Sequence, residues 1–144
     1  MLFFSTRDNL ALFLSGKGKD RKGRTLDDIL RKDDIWWDRT HDFIQWVFPN
    51  KERSRYNLLA PVYSASDALE YPDMEKSFER FCRFLNNTDW KHKGNHNLLR
   101  ITRVIKSLRL FGRDDLADLL LIYVMDETKD IKGLEKSRVY WLHA

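Results

Sequence analysis

Apolar residues recur along this chain three and four positions apart, which is the spacing of one face of an α-helix. The pattern is carried by Leu10, Phe13 and Leu14, by Leu26, Ile29 and Leu30, and by Leu98, Ile101, Val104, Ile105 and Leu108. The sequence shows no internal repeat and no sustained alternation of apolar and polar residues that would indicate strands. It therefore predicts an all-α fold, a compact single-domain bundle of about six helices.

Length and composition favour one domain over residues 1–144. A chain of 144 residues has the usual size of a single domain, and 42% hydrophobic residues argue against disorder. Cys82 is the one cysteine, so no internal disulfide can form and we expect a reducing, cytoplasmic location. The apolar run Leu119–Met125 is far shorter than the roughly 20 residues that span a bilayer, so we expect no membrane anchor.

Capping residues and helix breakers set the predicted helix boundaries. Thr25 and Asp28 form a capping box, in which each side chain accepts the other's backbone amide. The sequence further predicts helices at about 34–48 closed by Pro49, from Pro72, and at about 95–111 closed by Gly112. Asp114 or Asp115 is expected to cap the next helix, and a last helical turn is expected at 137–141. The helix after Asp115 is apolar on nearly every side, so we expect it to be central and the most buried. Tyr140 and Trp141 should both pack on the bundle.

Two rows of polar side chains border the apolar faces of the predicted helices. One row is Asp34, Asp38, His41 and Gln45, and the other is His96, Arg100, Arg103 and Ser107. They either face each other as a buried network that fixes helix register, or line a cleft in which the arginines bind an anionic group. Because Arg103 lies farther from the apolar arc, we expect Arg100 to be mainly structural and Arg103 mainly functional.

Three other patterns resemble ligand sites. Gly18–Thr25 nearly matches a phosphate-binding loop, but that loop requires a preceding strand and the preceding segment here is helical. His92 and His96 have the spacing of zinc ligands, but Gly94 lies between them and no glutamate occupies the catalytic position. The basic run Lys17–Arg24 is either a solvated connector or a contact for phosphates. We therefore predict no metal ion and no cofactor.

Several longer motifs are specific and not merely compositional. They are Gly23–Leu30, His41–Pro49, Arg53–Asn57, Ala60–Pro61, Ser77–Arg80 with Phe84, Asn95–Leu108, and Ser137 with Tyr140 and Trp141. In these motifs, which cover nearly the whole chain, the sequence resembles the conserved region of the opioid growth factor receptor family. It looks like a short, stand-alone, bacterial-type member.

The resemblance implies a receptor-type binding domain and supplies no catalytic residue. Animal members are described as receptors for the peptide Met-enkephalin that are associated with the nucleus. The ligand-binding residues that the motifs and polar rows suggest are His41, Asp42, Gln45, Trp46, Arg55, Asn57, Asn95, His96, Asn97, Arg100 and Arg103. The family resemblance does not identify the ligand.

Three function hypotheses follow. The leading one is a non-enzymatic module that binds a small ligand or a peptide at those residues. The second is a nucleic-acid-binding helical domain, which would use the basic loop Lys17–Arg24 with Arg53, Arg55, Arg100, Arg103, Lys106 and Arg109. The third is a hydrolase in which His41 or His96 acts as the base.

Overall fold

A computed structural model describes residues 6–52, 62 and 74–144 and confirms the all-α fold class. In this part of the chain there are eight helices and no strands. They are α1 (Thr6–Leu14), α2 (Leu26–Leu30), α3 (Asp34–Arg39), α4 (Ile44–Val47), α5 (Glu75–Asn87), α6 (His96–Leu110), α7 (Asp114–Thr128) and α8 (Glu135–Leu142). No helix in the described ranges has the length and apolarity needed to cross a bilayer. The predicted helix start at Pro72 lies outside them.

The central helix is α6, which packs against both α7 and α8. Its Ile101, Val104 and Ile105 are fully buried. The prediction that α7 is the central and most buried helix is wrong, because Leu119 is 57% exposed and Ile122 is 67% exposed. One side of α7 is buried in the bundle, and the opposite side exposes Leu119 and Ile122 together with Asp118 and Asp126.

The predicted helix over 34–48 is broken into α3 and α4. Thr40 ends α3 in an extended conformation, with φ −95° and ψ 129°. In one continuous helix Trp37 and Phe43, six residues apart, would point about 120° away from each other. The break lets both rings enter the core, where their centroids are 4.8 Å apart. The first polar row is therefore split between α3, the turn and α4.

Several predicted helix ends are confirmed. Thr25 Oγ1 accepts the Asp28 amide at 3.0 Å, and Asp28 Oδ2 accepts the Thr25 amide at 2.9 Å. Gly112 follows α6 with φ +74°, the left-handed conformation that commonly ends a helix. The prediction that an aspartate caps α7 is wrong, since Arg113 occupies the cap position and makes no side-chain cap bond.

The C-terminal helix α8 is longer than the single predicted turn. Trp141 is fully buried, contacts Trp90 edge-to-face at 6.3 Å, and donates from Nε1 to the Leu98 carbonyl at 3.1 Å. Tyr140 is 55% exposed, so only one of the two aromatic residues packs on the bundle as predicted. Consecutive helical residues point about 100° apart, which is why the two rings face different surroundings.

Candidate functional site

The two polar rows meet where α6 crosses the C-terminal end of α3. Arg100 is 6% exposed, and its guanidinium donates to the backbone carbonyls of Trp37 and Thr40. It also lies over the Phe43 ring, 5.4 Å from the centroid. The last carbonyls of a helix have no partner within the helix, and a cation there is favourable. Arg100 thus caps α3 from a neighbouring helix.

Asn97 and His96 extend this cap to Asp38. Asn97 donates from Nδ2 to Asp38 Oδ1 at 2.9 Å. His96 Nε2 lies 2.8 Å from the Asp38 carbonyl oxygen and 3.1 Å from Asp38 Oδ1. Because a carbonyl oxygen can only accept, this contact is a hydrogen bond in the tautomer that carries its hydrogen on Nε2 of His96. The side chains of α6 therefore satisfy backbone and carboxylate oxygens of α3.

His41 lies at the exposed edge of this cap. Its ring contacts His96 edge-to-face, with centroids 4.9 Å apart. Partial burial, followed by the charges of Arg100 and His96, lowers the pKa of His41, although Asp38 and Asp42 act in the opposite direction. His41 is therefore disposed to stay neutral near physiological pH.

A second cluster, one helical turn further along α6, joins Arg103 to the segment after α4. Arg103 Nη2 donates to Gln45 Oε1 at 2.6 Å and to the Glu52 carbonyl at 2.7 Å. Asn50 donates from Nδ2 to the Arg103 carbonyl at 2.9 Å. Burial lowers the pKa of the Arg103 guanidinium despite the nearby Glu52 carboxylate. Gln45 and Asn50 are buried, so this cluster holds the segment against α6.

The remaining predicted ligand residues lie in different places. Asp42 pairs with Arg24 at 3.0 Å, and Asn95 caps α6 by accepting the Asn97 amide at 2.8 Å. Trp46, one of the predicted ligand residues, is only 5% exposed, and its ring contacts the Phe13 ring with centroids 5.3 Å apart. Arg55 and Asn57, like Arg53, lie outside the described residues. Ser107 is fully buried, and its hydroxyl has no hydrogen-bond partner in the described structure.

The residues of the zinc and phosphate-loop patterns contact other groups of the protein. His92 contacts Asp89 at 2.5 Å, whereas His96 is held by Asp38. No three His, Cys, Asp or Glu side chains of the described residues are grouped to hold a metal ion. Gly18–Thr25 follows helix α1, and the start of α2 is closed by the capping box, in which Asp28 accepts the Thr25 amide and Thr25 accepts the Asp28 amide.

An open groove of about 770 Å³ runs between α2, α5 and α7. Its apolar lining residues are Leu30, Phe78, Cys82, Leu119 and Tyr123. Burial and the neighbouring Glu79 raise the pKa of the Cys82 thiol to about 11, so this cysteine is a poor nucleophile in the groove. The groove was not predicted from the sequence. The one sequence feature that pointed to it is the composition of α7, which has more apolar residues than a single buried face accounts for.

Charged side chains surround the apolar lining. Arg31, Lys76 and Arg83 are exposed on α5 and at the end of α2, with Asp27 and Glu79 between them. Arg31 is 3.0 Å from Asp27. Lys76 and Arg83 have no ion pair within the described ranges, so two cations remain available to a ligand at this rim.

Comparison of the chain with protein-family models, with curated proteins and with solved structures found no match. Membership of the opioid growth factor receptor family therefore stays a prediction from the motif residues. What the geometry offers chemically is an apolar groove with cations at its edge, together with a hydrogen-bonded junction between α3 and α6.

Proposed function

We propose that this protein is a non-enzymatic peptide-binding module. Its ligand is a segment of another protein that presents apolar side chains and at least one acidic group to the groove between α2, α5 and α7. The observation that carries the proposal is the exposure of Leu119 and Ile122 on α7, at 57% and 67%, beside that groove.

The exposed apolar residues of helix α7 support a surface that another molecule covers. Large apolar side chains on the solvent side of a helix are unusual unless another molecule covers them, and Leu119 and Ile122 lie on that side of α7, flanked by the exposed Asp118 and Asp126. Leu119 and Tyr123 lie about one turn apart and both line the groove, and the exposed Ile122 lies about one turn from Leu119, next to this lining. Contiguous apolar surface next to a concave groove is typical of protein-interaction sites.

The charges at the rim favour an acidic peptide. Lys76 and Arg83 lie on α5, seven residues apart, and both border the groove. Positively charged rim residues select an acidic partner mainly by steering it and by rejecting basic ones. Since Cys82 and Phe78 lie between them along the helix, a bound segment can place apolar side chains in the groove and a carboxylate at either end.

The predicted ligand residues of the polar rows direct their described hydrogen bonds mostly to the protein's own backbone. For that reason we assign binding to the groove and assign Asn97 and Arg100 to the α3–α6 junction. A binding role without catalysis agrees with the resemblance to the opioid growth factor receptor family, and we propose this membership and a cytoplasmic location together with it.

A random-peptide display library tests the proposal. We expect selection against the wild-type protein to enrich peptides with two or three apolar residues and an acidic residue. Leu119→Gln with Ile122→Gln should lower the affinity for those peptides at least about tenfold, because about 1.4 kcal/mol of lost apolar contact corresponds to that factor. Lys76→Glu with Arg83→Glu should weaken the acidic peptides and spare neutral ones.

The matched control is Val139→Gln with Leu142→Gln, which changes two exposed apolar residues on α8. This control should bind the selected peptides like the wild type. Failure to enrich any peptide, or equal losses in the α7 and α8 variants, would contradict the proposal. A concentration-dependent dimer in sedimentation that Leu119→Gln with Ile122→Gln abolishes would show that a second copy, and not a peptide, covers α7.

A further inference from the structure

The loop between α1 and α2 displays four cations at the surface. Lys17, Lys19, Arg21 and Lys22 are all exposed, and none forms an ion pair within the described residues. Together they match the formal net charge of the whole chain, +4. Helix α6 also carries several cations, but Lys106 pairs with Glu52 and Arg109 with Asp114 and Asp118, so this loop is a local concentration of unpaired positive charge.

The acidic residue within the loop does not neutralise these four cations. Asp20 is 6% exposed, and its Oδ1 accepts the backbone amides of Lys22 and Arg24, each at 2.9 Å. Its Oδ2 pairs with Arg24 Nε at 2.7 Å. Arg24 also pairs with Asp42 and lies over the Trp36 ring at 5.3 Å. Arg24 therefore stays with the protein, and the Asp20 charge is used to shape the loop.

Backbone contacts fix the loop against α1. The amides of Lys17 and Gly18 both donate to the Leu12 carbonyl at 2.9 Å. A Cβ atom on Gly18 would lie 2.8 Å from Leu12 Cβ, so a larger residue cannot approach the helix this closely. Gly23 turns the chain back with φ +78°. Because the backbone of the loop is held at these points, ordering of the backbone adds little to the entropy cost of binding.

We propose that this loop is a binding site for the phosphate backbone of a nucleic acid, separate from the groove. The contacts come from the side chains of Lys17, Lys19, Arg21 and Lys22, and they do not depend on base sequence. The short helix α2 makes no contribution, because its N-terminus is already capped: Asp28 accepts the Thr25 amide and Thr25 Oγ1 accepts the Asp28 amide. Residues 17–24 carry no apolar side chain to insert into lipid, which favours a nucleic acid over a membrane surface.

The test measures binding of the whole protein to a random-sequence DNA duplex at several salt concentrations. Four phosphate contacts predict a slope of about −3.6 for log K against log salt concentration, so affinity should fall about 150-fold between 50 and 200 mM salt. Changing Lys17, Lys19, Arg21 and Lys22 all to Gln should remove most of that slope. The four side chains form no ion pairs in the described fold, so the variant should keep its circular dichroism spectrum and its urea midpoint.

The control variant has the same net charge as the loop variant but leaves residues 17–24 unchanged. It changes Lys51, Lys93, Lys132 and Lys136, four exposed lysines elsewhere, to Gln. We expect this control to retain more than half of the wild-type slope. Equal losses in the two variants would show that only net charge matters and would overturn the proposal. So would binding to vesicles of anionic lipid without binding to duplex, or no duplex binding by the wild type at 50 mM salt.

Discussion

Arg100 and Arg103 show how neighbouring arginines on one helix acquire different roles. Arg100 projects into the junction with α3, where it is 6% exposed and donates to two carbonyls. Arg103 projects nearer the surface and donates to Gln45 and to the Glu52 carbonyl. Removing the donor of a buried carbonyl lowers the free energy of unfolding more than removing the donor of a half-exposed one, because water cannot replace the buried bond.

The alanine variants should therefore differ. Arg100→Ala leaves the carbonyls of Trp37 and Thr40 without donors, and we expect a loss of about 3 kcal/mol in the free energy of unfolding. Arg103→Ala should lose less, about 1–2 kcal/mol, because water can reach the exposed Glu52 carbonyl and Gln45 is the one buried partner among the described residues. Urea midpoints measure both. Arg100→Lys, which keeps the charge but cannot reach both carbonyls, should be intermediate, and equal losses at positions 100 and 103 would contradict this assignment.

At the scale of the secondary-structure elements, the spacing of apolar residues identifies helices but does not tell which sides of a helix are buried. The apolar residues of α6 and α7 look alike in the sequence, yet α6 is enclosed by α7 and α8 while α7 has a solvent-facing side. Helix α8 carries three exposed apolar residues and a single anchor, Trp141, against α6. A short helix with one deeply buried side chain depends on that side chain for its position.

The anchor can be tested on adjacent residues. Trp141→Ala removes a fully buried indole and its bond to the Leu98 carbonyl, so we expect a loss of about 3–5 kcal/mol in unfolding free energy. Tyr140→Ala is the control, since its ring is 55% exposed, and should change the stability by less than about 0.5 kcal/mol. Chemical denaturation measures both variants, and comparable losses would contradict the placement of α8.

For the whole molecule, the α3–α6 junction connects stability to pH. The lowered pKa of His41 means that the unfolded chain takes up a proton more readily than the folded one. Its surroundings at the junction are Asp38 and Asp42 on the α3 side and His96 and Arg100 on α6. The free energy of unfolding should therefore fall as the pH is lowered below the ordinary histidine pKa of about 6.5, and should gain nothing from His41 above it.

The pH effect can be isolated by substitution. We expect His41→Gln to reduce the difference in urea midpoint between pH 7.5 and pH 5.5, because the group that resists protonation in the fold is gone. His143→Gln, at an exposed position after α8, serves as the control and should keep the wild-type difference. An unchanged difference in the His41 variant would show that other groups account for the acid sensitivity.

Local patterns in the sequence were enough for the fold class, the capping box at Thr25 and the glycine end of α6. These features depend on hydrogen bonds and side-chain spacing within a few residues, which the order of amino acids specifies directly. The break at Thr40, the exposed side of α7, the groove beside it and the burial of Trp46 could not be predicted in the same way. Each depends on which helix packs against which, and such long-range contacts override local helical preference when they bury more apolar surface.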